Sequence, residues 1–129
     1  VTTVLLDTHA WAWSLTGDAR LSAKATALIT EAASVFVSPI SFFEIGQKVR
    51  IGKWPEMKPF VNDLPNLLVE QGGRIAALAP EICLKGATLE WEHRDPFDRL
   101  LAASTLDLGA PLISADEVFD TLPVVKRLW

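Results

Sequence analysis

Between His93 and Arg99 the chain sets an imidazole, two carboxylates and two guanidiniums into seven positions: His93-Arg94-Asp95-Pro96-Phe97-Asp98-Arg99. Three more acids stand out: Asp7 and Asp116, where a short apolar run has just ended, and Glu44, inside the helix that follows another. Carboxylates crowded into one cleft repel, so some must take up protons unless a cation is present. Their hard oxygens suit Mg²⁺ or Mn²⁺ and not zinc. A few carboxylates with open water positions are how Mg²⁺ is held when its other ligand is a phosphate. The chemistry on offer is therefore metal-assisted work on a phosphate.

Each acid also has a plainer use. Asp95-Pro96 reads as a helix start, with Asp at the N-cap and Pro first in the helix. Asp98 then lies in the first turn, where a carboxylate complements the helix dipole. Asp7 is a candidate helix cap. Asp116 lies in the capping box Ser114-Ala115-Asp116-Glu117. Glu44 is four residues before Lys48 and can pair with it.

The elements that position these residues follow from pattern and breakers. Val1 to Leu6 is a buried strand candidate ending at Asp7. Thr8 is the expected cap of a helix through Trp11, Trp13 and Leu15, closed by Gly17. Ser22 opens a helix over Ala23 to Ala33. Val35-Phe36-Val37 is the second strand, and Ser38-Pro39 starts a helix to about Arg50 that carries Glu44. Ile51 to Pro55 is a loop. Lys58 to Glu70 reads as a helix that Pro65 kinks or splits. After Gly72-Gly73, Arg74 to Leu78 is a third strand. Pro80 starts a helix to about Leu89, Trp91 to Arg94 is a loop, and Pro96 to Leu108 is a helix ended by Gly109. Pro111-Leu112-Ile113 is a fourth strand, and Leu122 to Val125 a short fifth. Short apolar strands alternating with helices read as α/β with a mostly parallel sheet. Ligands of such sheets bind beyond the carboxyl ends of the strands, near the switch in strand order. All four acids fall at that edge.

Composition narrows the classes. The 129 residues are half hydrophobic and 22% charged, which suits one domain over 1–129 with a real core. One cysteine, Cys83, leaves no disulfide framework and no zinc knuckle. That usage fits a reducing cytoplasm. Cys83 falls on an apolar helix and is expected in the core. No apolar run approaches the roughly 20 residues needed to span a bilayer, and no secretory signal is visible. A net charge of −4 argues against nucleic-acid binding by overall charge, but not against a local basic rim.

Four segments together carry a family resemblance: Leu5-Leu6-Asp7-Thr8-His9-Ala10-Trp11; Ser38-Pro39 with Glu44; His93-Arg94-Asp95-Pro96-Phe97-Asp98-Arg99-Leu100-Leu101-Ala102-Ala103; and Ile113-Ser114-Ala115-Asp116. In this order they resemble the PIN-domain nucleases, and most the VapC-type toxins of bacterial toxin–antitoxin pairs. The resemblance implies a three-layer α/β/α fold around four to five short strands. It implies Mg²⁺- or Mn²⁺-dependent ribonuclease activity, with Asp7, Glu44, Asp98 and Asp116 as catalytic and metal-site acids. Ser114 matches a small hydroxyl residue placed two before the last acid. Asp95 matches a subgroup pattern or only caps its helix. RNA substrate, a cognate antitoxin protein and a second copy of the chain are the implied partners.

The expected reaction is in-line attack of water on a phosphodiester, with metal assistance. Arg94, Arg99, Lys48, Arg50 and Lys53 are candidates for a basic rim that holds RNA, or are ordinary solvated charges. His9 and His93 invite an acid–base role, but a metal-activated water needs no histidine base. Trp11, Trp13 and Trp54 are expected to be partly exposed. Trp11 and Trp13 are two apart and cannot share one helix face, so the apolar patch left over is either a partner surface or stray exposure beside core packing. Two rival classes remain. One is a binding module that keeps the fold and has lost the chemistry. The other is a doubly wound phosphoryl-transfer domain, although no Gly-rich phosphate loop is present.

Overall fold

The computed structural model describes residues 2–129, so Val1 of the expected first strand lies outside the described residues. The strands are β1 (Thr3–Leu6), β2 (Ser34–Val37), β3 (Arg74–Ile75), β4 (Leu112–Ile113) and β5 (Arg127–Leu128). The helices are α1 (Thr8–Thr16), α2 (Ala23–Glu31), α3 (Pro39–Arg50), α4 (Leu64–Glu70), α5 (Pro80–Thr88) and α6 (Pro96–Leu108). All strand pairs are parallel, in the order β3-β2-β1-β4-β5. The chain winds from β1 outward to β3, then returns to build β4 and β5 on the other side. The switch in strand order therefore lies between β1 and β4.

Alternation along the strands makes the three layers. Val4 and Leu6 face one helical layer with Val37, Ile113, Trp11, Ile45 and Leu64. Leu5 faces the other, with Phe36, Leu112, Leu101, Ala102 and Phe119. Register agrees with this split, since Leu5 is opposite both Phe36 and Leu112, and Leu6 opposite Val37 and Ile113. A one-residue slip would exchange the layers, so burial on both faces fixes the register. Trp11 is fully buried, and truncation of such a side chain costs about 3–5 kcal/mol.

Gly109 ends α6 at φ 63°, the left-handed conformation expected of a helix-closing glycine. Gly86 serves another purpose. It is buried where α5 meets α6, and a Cβ there would lie 3.1 Å from the backbone oxygen of Arg99. The missing side chain lets the two helices come together.

Several expectations are corrected. Helix α4 begins at Leu64 after 3₁₀ turns at Pro55–Met57 and Val61–Asp63, so Pro65 sits in its first turn and kinks nothing. Strand β3 stops at Ile75, short of Leu78. Leu122 to Val125 is not a strand. Its backbone closes successive turns, Leu122 N–H to Phe119 O and Val125 N–H to Leu122 O, while Leu122 and Val125 bury their side chains. The edge pairing passes to Arg127 and Leu128, opposite Leu112 and Ile113. Cys83 is exposed, because α5 turns Ile82 and Gly86 inward. Among the described residues no helix is long and apolar enough to cross a membrane.

Candidate active site

Asp7 leaves β1 at the strand switch. Its backbone N–H donates to Ile113 of β4 at 3.1 Å, so the sheet itself fixes the residue. Its side chain, not that of Thr8, caps α1: Oδ1 accepts the Ala10 N–H at 2.8 Å. Thr8 instead shares a buried hydroxyl contact of 2.9 Å with Ser41, tying α1 to α3. Asp7 is 8% exposed. Burial pushes its pKa up to about 6; the Ser114 hydroxyl and the Ala10 N–H offset part of this, and the charges of Asp98 and Glu44 add to it.

Asp98 lies in the first turn of α6. Asp95 caps that helix, its Oδ1 accepting the Asp98 N–H at 3.1 Å. Burial also pushes Asp98 up to about 6, against the pull of His93 and with the repulsion of Asp95 and Asp116. His93 Nε2 stands 2.6 Å from Asp98 Oδ2. Glu44 is buried on α3 and pairs with Lys48 at 2.7 Å. Asp116 is exposed and caps the 3₁₀ turn Glu117–Thr121 through Val118 N–H, which corrects the capping box led by Ser114. Ser114 is buried, and its hydroxyl accepts the Asp116 N–H at 3.0 Å.

Asp7, Glu44, Asp95, Asp98 and Asp116 line one cleft of about 420 Å³. The four acids singled out from the sequence, and Asp95 beside them, thus share one space. Yet among the described residues no three His, Cys, Asp or Glu side chains converge closely enough to hold one metal ion. Glu44 is turned to Lys48 and Asp98 to His93. A cation entering the cleft must compete with both partners.

The cationic rim is smaller than expected. Lys48 lines the cleft, and Lys53 lines an adjoining cavity. Arg99 turns away: its guanidinium donates to the carbonyls of Gly86, Ala87, Leu89, Trp91 and His93. Arg94 lies on a separate cavity beside Cys83. Trp11 is buried and Trp54 nearly so, against the expectation of exposure; Trp13 is half-buried. Sequence reasoning missed Arg20, which lines the cleft with its guanidinium carbon 5.0 Å from the Trp13 ring centre. Nothing in the loop around it marks it out. His9 stacks on Trp54. Desolvation there, and then the Lys48 charge, push its pKa down.

The family model described as PIN domain matches residues 4–125. The chain belongs to the PIN domain family. Within that family the chain is similar to Ribonuclease VapC22 of Mycobacterium tuberculosis, 29% identical over 117 residues, covering 90% of this chain and 88% of the relative. Among solved structures, VapBC2 of Rickettsia felis bound to a promoter DNA fragment superposes with a TM-score of 0.71 at 15% identity, covering 99% of both chains. VapBC-1 of nontypeable Haemophilus influenzae gives 0.68 at 16%, covering 98% and 97%. Mycobacterium tuberculosis VapC20, described as a sarcin–ricin loop cleaving toxin, gives 0.60 at 16%, covering 92% and 94%. At these identities the structural likeness is one of fold, and the PIN fold is the three-layer α/β/α arrangement seen here.

The donor chemistry of this PIN cleft fits a hard divalent cation. Its carboxylates are oxygen ligands, and two of them are held above their usual pKa by burial, with neighbouring negative charges adding to the shift.

Proposed function

We propose that residues 1–129 form a single PIN-like nuclease domain, a Mg²⁺- or Mn²⁺-dependent endoribonuclease acting as the toxin of a toxin–antitoxin pair. The observation that carries this reading is the cleft at the strand switch, where Asp7 and Asp98 are both pushed up to about 6. Sites whose acids are perturbed by burial and by one another are functional candidates on physical grounds. The relative named a ribonuclease adds to it.

In this reading Asp7, Glu44, Asp98 and Asp116 hold the ion. Such an ion supplies activation of water and neutralisation of charge on the phosphodiester. The remaining work belongs to the chain. Asp7 is the rigid member, held by β4 through its backbone and by Ala10 through its side chain. Ser114 steadies the Asp116 turn. His93 orients Asp98, and Lys48, once Glu44 turns inward, is free to meet a phosphate. Purified protein should cleave RNA with Mg²⁺ or Mn²⁺ and stop when EDTA is added. Undiminished cleavage in chelator would remove the metal-site reading.

A cognate antitoxin fits the same cleft. An arginine carries a fixed charge and a fork of donors, matched to grouped carboxylates. Next to the Trp-bearing helix α1 lies a second cleft of about 660 Å³, lined by Trp11, Trp13, Leu21, Ile29 and Leu68 among others. The antitoxin's apolar residues would occupy it. Crosslinks from the bound antitoxin should reach both clefts, and an inhibitory partner whose contacts avoid Asp7 and Asp98 would contradict this. A homodimer is also proposed, with Phe43, 59% exposed and near Phe97, as its apolar contact. Light scattering reads the mass, and a monomer at working concentration would refute it. The one free thiol is compatible with work in the cytoplasm, where RNA is found; a chain recovered only from the cell envelope fraction would overturn that placement.

A further inference from the structure

We propose that the cavity beside the acid cleft is a nucleobase subsite, in which an unpaired nucleotide flanking the scissile bond stacks on His9 and Trp13. The proposal rests on the nuclease reading and adds a preference for single-stranded RNA at this position.

The cavity holds about 370 Å³. His9, Trp13, Arg20 and Lys48 line both this cavity and the acid cleft, so the two spaces join along those side chains. Lys53, Trp54 and Glu56 complete its wall. Trp54 is buried, and His9 lies nearly flat on it, with ring centres 4.5 Å apart and planes 25° apart. His9 itself is exposed. One face of the imidazole is therefore backed by indole and the ring is left open to a ligand. Trp13 stands beside it, 5.6 Å away at 59°.

Trp13 is not an ordinary packing residue. Trp11, two positions earlier, donates its indole N–H to Gln71 at 2.9 Å. The Trp13 N–H is buried and has no partner among the described residues. Buried donors are nearly always paired, so this N–H is open to an acceptor, while the ring itself is held by Arg20 at 5.0 Å and by Trp129 at 5.8 Å.

Charge does not explain the pocket by itself. Arg20 is paired with Asp18 at 2.8 Å, Lys48 with Glu44 at 2.7 Å, and Glu56 adds a negative group. Among the described residues Lys53 has no ion-pair partner, and it is exposed. The site thus offers the exposed His9 ring, the Trp13 ring with Arg20 over one face, and one unpaired cation. That combination suits one base and one phosphate, because single-strand recognition joins base-tolerant stacking to backbone cations. A duplex keeps its bases in the stack and cannot use it.

The test measures fluorescence anisotropy of the full chain in EDTA with a labelled single-stranded RNA of about 12 nucleotides, and with its duplex. The single strand should bind more tightly than the duplex. His9→Ala should weaken single-strand binding about tenfold, and His9→Phe, which restores an aromatic face, should recover it. Lys53→Ala should reduce the slope of log affinity against log salt by about one phosphate contact. Equal binding of single strand and duplex, or binding insensitive to His9→Ala, overturns the proposal. So does a His9→Ala variant that loses affinity for a partner protein while keeping that for RNA. Cleavage is scored separately with Mg²⁺. Absent cleavage with the stacking contact intact removes the nuclease reading and leaves the subsite, whereas cleavage by a protein indifferent to His9→Ala removes the subsite alone.

Discussion

Asp98→Asn should lower the rate of RNA cleavage by at least about a hundredfold while leaving the protein folded. Changing a residue that only orients a metal ligand typically costs 10–100-fold, so losing a ligand carboxylate should exceed that range. Asp95→Asn is the matched control. Asp95 caps α6 through the Asp98 N–H, and Asn caps about as well as Asp, so activity should stay within about threefold. The two substitutions remove the same charge three residues apart, which separates a ligand from a cap. Equal losses would mean that Asp95 belongs to the site. Stability gives a second readout. The Asp98 pKa is raised by folding, to about 6. The folded protein therefore holds its proton more tightly, and stability falls as pH rises from near 4 through about 6. Asp98→Asn lacks that loss. Its melting temperature relative to wild type should climb across this window and level off above it. A variant that melts well below wild type at pH 7.5 would show that the charge is structurally required.

Arg99→Ala should be the most destabilising charge removal in the chain, by about 3 kcal/mol. The guanidinium serves carbonyls at the C-terminal end of α5 and in the loop that carries His93. Helix ends leave carbonyls without partners, and α5 ends at Leu89 without a left-handed glycine, so the Arg99 side chain meets its last carbonyls. Truncation leaves several acceptors unserved at once. Arg99→Lys should recover only part of the loss, because an ammonium is a compact donor and the guanidinium a planar fork. Urea unfolding reads both variants. A loss under about 1 kcal/mol for Arg99→Ala would mean that water replaces the clamp.

Arg99 also marks the limit of what the sequence discloses. In a run of charged residues it reads as one more rim cation. Its inward turn depends on which carbonyls α5 leaves unpaired, and on Gly86 letting the helices meet, neither of which is written near position 99. The acids were legible for the opposite reason. Asp7, Asp98 and Asp116 each follow a strand or open a helix within a few residues, so local signals set their location, while Glu44 is carried mid-helix on α3. Both uses of Asp7 and Glu44 hold together: Asp7 caps α1 while lining the cleft, and Glu44 pairs with Lys48 while lining it too. Leu122 and Val125 misled because apolar residues in a tight turn under the core look like a short strand. Trp11 misled because its burial depends on α4, which brings Gln71 to its N–H. Arg20 reaches Trp13 through the turn after α1, where Gly17 and Asp18 N–H groups donate to Trp13 O and Asp18 holds Arg20.

The ends of the RNA fragments test water attack most directly. Metal-free ribonucleases use the RNA's own 2′-hydroxyl and need a general acid and base, commonly histidines. Here His9 rests on Trp54 and His93 is engaged with Asp98, so the two do not form such a pair. Water attacking in line displaces the 3′-oxygen. Mass analysis of fragments released by the wild-type protein with Mg²⁺ should therefore show 5′-phosphates and free 3′-hydroxyls. Fragments ending in a 2′,3′-cyclic phosphate with 5′-hydroxyls would contradict water activation at Asp7, Glu44, Asp98 and Asp116, and would move the chemistry to His9 and His93.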